Sequence, residues 1–206
     1  MKRLLFAVSA AVAFTLAVRP TAAQAPSEIH FKLVPQPKFV NCTGVPGEPE
    51  PTAEVTVLRG ELNDTLQLNV HHLRPNLAFD LFTIQNSNLN AYGEVDPAFK
   101  NFGLAWYQTD VQADKNGDAE VQIHTILLDQ IFGFDPASNL QPTHTFHVGF
   151  WFNNPEDAAA CGFDPSKPTP FNGEQHAGPN AMISLPNPQT GLGPLCSSAT
   201  GHTCNE

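Results

Sequence analysis

Apolar and polar residues alternate in short runs along most of this chain, and the alternation predicts strands. Glu28–Val34 alternates and is stopped by Pro35 and Pro37. Glu54–Leu58 places Val55 and Val57 on one face. In Thr65–Leu73, Leu66, Leu68, Val70 and His72 share a core face, with Gln67, Asn69 and His71 opposite. Arg74-Pro75-Asn76 is a turn signal, and Ala78–Ile84 reads as the returning partner, a hairpin with a longer loop. Gly103–Gln112 and Ala119–Ile126 flank Asn116-Gly117, two residues that tolerate positive φ, which predicts a second hairpin. Thr143–Phe152 is the last long strand, with Phe146, Val148, Phe150 and Phe152 as its buried face. Ala181–Leu185 reads as a short edge strand within Pro-rich surroundings.

Between these runs lie irregular segments. Gln85–Phe102 is polar and Asn-rich. Ile126–Phe134 fits a helical turn or a strand end equally well. Asn153–Pro179 is a long loop rich in Pro and Gly. No internal repeat and no sustained helical period is present. Seven or eight short strands with turn punctuation predict an all-β fold, an antiparallel β-sandwich of immunoglobulin-like or Greek-key type with a long Pro/Gly-rich C-terminal loop region.

The N-terminus changes the boundaries of that domain. Lys2 and Arg3 precede an apolar run, Leu4–Val18, and Thr21-Ala22-Ala23 supplies small residues for cleavage, so residues 1–23 read as a signal peptide. The run is short for a membrane span, which needs about 20 apolar residues, and no second one follows. Residues 24–206 then form one domain, secreted to the periplasm or the medium, with 195–206 a disulfide-closed tail. Residues 1–23 hold Lys2, Arg3 and Arg19 and no acid. Their removal leaves seven of the ten basic residues against 20 acids, a formal net charge of −13. Such a surface repels phosphate backbones, which argues against nucleic acid as a partner and against docking on anionic lipid. It favours a soluble monomer.

Four cysteines in an exported chain predict two disulfides, and four allow three pairings. Cys196–Cys204 closes a short local loop, which leaves Cys42–Cys161 to tie the N-terminal segment to the loop after the last long strand. A thiolate metal site would need paired Cys-x-x-Cys spacing, which is absent. Asp114-x-Asn116-x-Asp118 has the alternating oxygens of a calcium loop. Its Gly stands at position four rather than six, however, and Thr125 takes the place of the bidentate Glu, so the expectation is a plain turn.

Histidine chemistry is the other candidate, since neutral imidazole is a common transition-metal ligand. By alternation His71, His124 and His147 point away from the core face. On neighbouring strands they would cluster on the outer sheet surface, with His176 of the Gly-rich loop closing a copper or zinc site. The alternative is histidines scattered over surface and core. No Ser lies in Gly-x-Ser-x-Gly, so a hydrolase would have to be built from elements the sequence does not announce. Of 19 aromatic residues most fit core positions, while Trp106 and Trp151 could serve an outer platform for a glycan or an apolar ligand. The reading that results is a secreted, disulfide-stabilised β-sandwich acting as an extracytoplasmic binding or structural module for a small molecule, glycan or protein. A histidine-based metalloprotein is the alternative and a hydrolase the second.

The runs LNDTLQLNVHHLRPNLAFDLFTIQ, NFGLAWYQTDVQADKNGDAEV, TFHVGFWFN and CGFDPSKPTPFNGEQHAGP resemble a family of secreted bacterial β-sandwich proteins without an assigned activity. The resemblance implies export and a β-rich domain, and no chemistry. Locally, FHVG at 146–149 and QHAGPN at 175–180 are similar to the metal-binding strand and the zinc-loop segment of copper-zinc superoxide dismutases, exported Greek-key barrels. That resemblance implies His147 as a copper ligand and His176 as a zinc-side ligand. Gly149 stands where the second strand histidine belongs, and no histidine lies between Cys161 and Gln175 to bridge two metals.

Overall fold

A computed structural model of the chain describes residues 27–61, 63–125, 145–167, 169 and 177–196. The predicted signal segment, the ambiguous run 126–134, His144, His176 and Cys204 lie outside those residues.

Each alternating run becomes a strand: β1 (Glu28–Pro35), β2 (Thr52–Leu58), β3 (Asp64–His71), β4 (Ala78–Ile84), β5 (Ala105–Gln112), β6 (Ala119–Thr125), β7 (Thr145–Phe152), β8 (Asn180–Ser184) and the two-residue β9 (Leu195–Cys196). The expected all-β antiparallel class is what the structure has. In place of separate stacked sheets, hydrogen bonding runs unbroken through β5-β4-β7-β8-β1-β2-β3-β6, with β9 added beside β7. The sheet is rolled and nearly closed, barrel-like, with β5 and β6 brought into contact.

Period two fixes which side chains fill the interior. Val55, Val57, Leu66, Leu68 and Val70 from β2 and β3 meet Phe79, Leu81, Phe146, Val148, Phe150 and Phe152 from β4 and β7 in one core. Each side chain fully removed from water here contributes about 1.5–3 kcal/mol. Phe79 packs between Phe150 and Phe152, with ring centroids 4.8 and 5.3 Å away.

Two strand connections differ from expectation. β3 pairs with β2 and β6, and β4 with β5 and β7, so β3–β4 is not a hairpin; nor is β5–β6. Both connections are arches that carry the chain from one half of the sheet to the other. They lie side by side and bond to each other: Leu73 N–H donates to Gly117 O (2.9 Å), Asn76 N–H to Asp114 O (3.2 Å) and Ala113 N–H to Leu77 O (2.8 Å). The Asn116-Gly117 turn forms, but it closes an arch. His72, expected on the core face, instead follows the end of β3 at φ 63°, exposed, and Leu73 is buried in its place. β8 is not an edge strand either. It lies between β7 and β1 and is buried along its whole length.

The Cys42–Cys161 disulfide closes the end of the molecule where the arches lie, joining the helical turn Val40–Thr43 to the 3-10 helix Pro155–Cys161. Phe39 packs edge-on against Phe152 and Phe163 beside it. Among the described residues no helix is long and apolar enough to cross a membrane.

Candidate ligand-binding cleft

β7 is buried on both faces. Its inner face belongs to the main core. Its outer face, Thr145, His147, Gly149 and Trp151, is covered by the segment 85–104. That segment is the Asn-rich run read from sequence as irregular, and it folds back on itself. Gln85 N–H donates to Leu104 O (2.9 Å), Asn86 N–H to Phe102 O (2.9 Å), Asp96 N–H to Asn88 O (3.0 Å) and Asn90 N–H to Glu94 O (2.8 Å). The resulting strap is anchored by a second apolar cluster: Leu89 and Phe102 pack with Phe82, Ile84, Trp151 and Ile183 on the outside of the sheet. Phe102 meets Trp151 edge-on at 5.1 Å, and Phe99 meets Phe102 at 4.8 Å.

Polar anchoring adds to this. Gln36, 4% exposed, donates from Nε2 to Oδ1 of Asn88 (2.8 Å) and to Oδ1 of Asn180, while Asn88 Nδ2 donates back to Gln36 Oε1 (2.9 Å). Asn180 Nδ2 in turn reaches Phe150 O and Met182 O. A buried amide network of this kind is stable only when its members are satisfied, and here it pins the strap to β1 and β8.

A second strap, 186–193, follows β8. Asn187 N–H donates to Leu192 O and Gly191 N–H to Asn187 O, both at 2.8 Å, and Asn187 Oδ1 accepts from Gln189 and Thr190 N–H. Between the two straps, at the end of β7 remote from the disulfide, lies a cleft of about 620 Å³. That is within the roughly 300–1,000 Å³ usual for small-molecule sites.

His147 lines this cleft although it is only 2% exposed. Its Nδ1 lies 3.1 Å from the Ser184 carbonyl oxygen and 3.0 Å from the Ser184 hydroxyl. The hydroxyl oxygen also accepts from Val148 N–H at 3.2 Å. A carbonyl can only accept, so Nδ1 carries the proton and Nε2 keeps a bare lone pair. Burial penalises the charged imidazolium and lowers the His147 pKa to about 4, against a smaller opposing effect of the Ser184 bond.

The other predicted histidines do not join it. His71 is exposed on β3 and paired with Asp118 at 2.8 Å. His124 is exposed on β6 and bonded to Thr65 Oγ1 at 2.9 Å. The register sets His124 opposite Thr65, six residues along β3 from His71, about 20 Å at the strand rise. β8, β1 and β2 separate β7 from β3. His176 lies outside the described residues, which contain no group of three or more His, Cys, Asp or Glu placed to hold a metal ion. The outer-face cluster expected of His71, His124 and His147 therefore does not form, because the pairing order places β7 far from β3 and β6.

The calcium-like motif is a turn. Asp114 Oδ1 accepts from Asn116 and Asp118 N–H at 2.7 and 3.0 Å, bonds that lower its pKa and occupy the oxygen a cation would use. Of the disulfide pairings left open by sequence, Cys42–Cys161 is formed, and Cys204 is outside the described residues. What sequence reading missed is the strap. Its signal is present in Leu89 and Phe102, apolar anchors in an otherwise polar run.

Comparison of the chain with protein-family models, with curated proteins and with solved structures finds no match in any of the three.

Proposed function

We propose that this protein is an exported, disulfide-stabilised binding module that holds a small molecule in the cleft between the 85–104 and 186–193 straps. The observation that carries the reading is His147, almost fully buried yet lining a cleft enclosed by two hydrogen-bonded straps, with its Nδ1 engaged by Ser184. A buried imidazole on the wall of a pre-formed cavity of small-molecule size presents a polar group to whatever enters it. Both straps are tied down by their own hydrogen bonds, so little ordering cost attends binding. Export is supported by the basic and apolar N-terminal run and by the disulfide. The test is a fragment titration of isotope-labelled protein followed by amide NMR. Hits are expected to shift resonances of residues 85–101 and 186–193. Hits confined to other surfaces, or none, would overturn the reading.

A further inference from the structure

Which atoms of the cleft remain available decides what it can hold. Asn101 Oδ1 accepts from Gly103 N–H, and Asn187 Oδ1 is taken by the two amides of its own turn. Each of these side chains is left with its Nδ2 donor, and both residues line the cleft. His147 supplies the complementary group, an acceptor that cannot donate. Charge is balanced: Lys100 and Asp96 line the cleft, one of each sign. An imidazole held neutral adds no cation for a phosphate or carboxylate to use. Aromatic surface lies close by. Tyr92 is 83% exposed at the cleft, and Phe99 is fixed through Phe102 to Trp151.

We propose, building on the binding reading above, that the ligand is an uncharged saccharide, with one hydroxyl donating to His147 Nε2, others accepting from Asn101 and Asn187 Nδ2, and a sugar face lying on Tyr92. A hydroxyl both donates and accepts, so a polyol satisfies a cleft that offers donors and an acceptor at separate points. An anion would bring acceptors only and face the lone pair of His147. A hydrocarbon would cover His147 Nε2 and the Asn Nδ2 groups without bonding them, leaving each stripped of water and unpaired. The C–H face of a sugar ring, in contrast, suits an exposed aromatic ring.

The experiment titrates the labelled protein with neutral mono- and oligosaccharides of glucose, galactose, mannose and N-acetylglucosamine. An oligogalacturonide and a fatty acid are run in parallel, with amide NMR as the map and calorimetry for affinity. His147→Asn places an amide nitrogen where Nδ1 stands, preserving a donor to Ser184 while deleting the Nε2 acceptor. Tyr92→Ala removes a side chain that is almost wholly exposed. The expected result is a neutral saccharide that shifts residues 85–101 and 186–193 and binds roughly tenfold more weakly to each variant, the loss of about one hydrogen bond or stacking contact. Thermal melts establish that both variants are folded. If the uronide or the fatty acid occupies the cleft and no neutral saccharide does, the ligand class is wrong and the binding module stands. If no probe of any class reaches the cleft, both readings fall. A saccharide that binds both variants as it binds the parent protein would refute the assigned contacts.

Discussion

Leu73 and Gly117 are joined by a 2.9 Å hydrogen bond from the Leu73 amide to the Gly117 carbonyl, and through it the two arches of the fold are held together. Gly117 has φ +84°, and a Cβ there would collide with the Leu73 carbonyl oxygen. Gly47 has φ +87° but nothing within 4 Å of its Cβ position. Gly47→Ala therefore costs the backbone strain alone, about 1–2 kcal/mol. Gly117→Ala costs at least about 2 kcal/mol more, because the arches must separate. Chemical denaturation of the two variants measures the difference, and equal losses would show that the arch contact is not needed.

The burial of His147, only partly offset by its bond to Ser184, makes stability depend on pH. The ring has a pKa of about 4 when folded and regains its ordinary 6.5 when unfolded. Above pH 6.5 the neutral ring contributes in full. As pH falls below that value the unfolded chain takes up a proton the folded one refuses, stability drains away, and the loss levels off below about 4. The total is about 3 kcal/mol. Asp114 and Asp164, whose pKa values are lowered by local hydrogen bonds, act in a lower window, where acid protonates them. Urea denaturation between pH 7 and pH 4 should show a steeper decline for the parent protein than for His147→Asn, which lacks the buried imidazole. Parallel profiles would disprove the assignment.

The Cys42–Cys161 bridge spans 119 residues. Replacing both cysteines by Ala is expected to lower stability by about 2–5 kcal/mol. Thiol labelling of the denatured, unreduced protein should leave both residues unmodified. Label on either would contradict the pairing.

The Gln36–Asn88–Asn180 network predicts a local effect. Asn88→Ala removes two hydrogen bonds and leaves Gln36 Oε1 buried without Asn88 Nδ2, at a cost of about 1–3 kcal/mol. Hydrogen exchange should quicken for amides of residues 86–102 while those of Val148 and Phe150 stay protected. Uniform loss of protection would mean that the strap and the sheet open together.

Strands were legible because a one-sided core writes itself as alternation. Leu66, Leu68 and Val70 are buried as the pattern predicts. Partners were not legible, because alternation constrains a strand's faces and says nothing of its neighbours. Asn116-Gly117 marks a tight turn whether the turn joins paired strands or closes an arch. Short length and flanking prolines made residues 181–185 resemble an edge, yet Pro186 and Pro188 lie past the end of β8 and cost no ladder bond. At the cleft, the outward side of His147 was readable from its strand. Its burial was not, since the cover comes from residues 85–104 and 186–193, distant in sequence and polar in composition.

β1 joins the two halves of the sheet. Its ladder to β8 is short, Leu33–Ser184, Val34–Ile183 and Pro35–Met182, and among the described residues it is the one strand ladder between β1-β2-β3-β6 and β5-β4-β7-β8. β1 is thus synthesised near the start of the chain and completed near its end. Until residues 180–184 are made, β1 has an open strand edge, a feature of a partly made chain that invites wrong partners. A chain cut short after the 3-10 helix would not be a smaller version of this protein but an arrested one, and a cell producing it would need something to shield that edge in the interval.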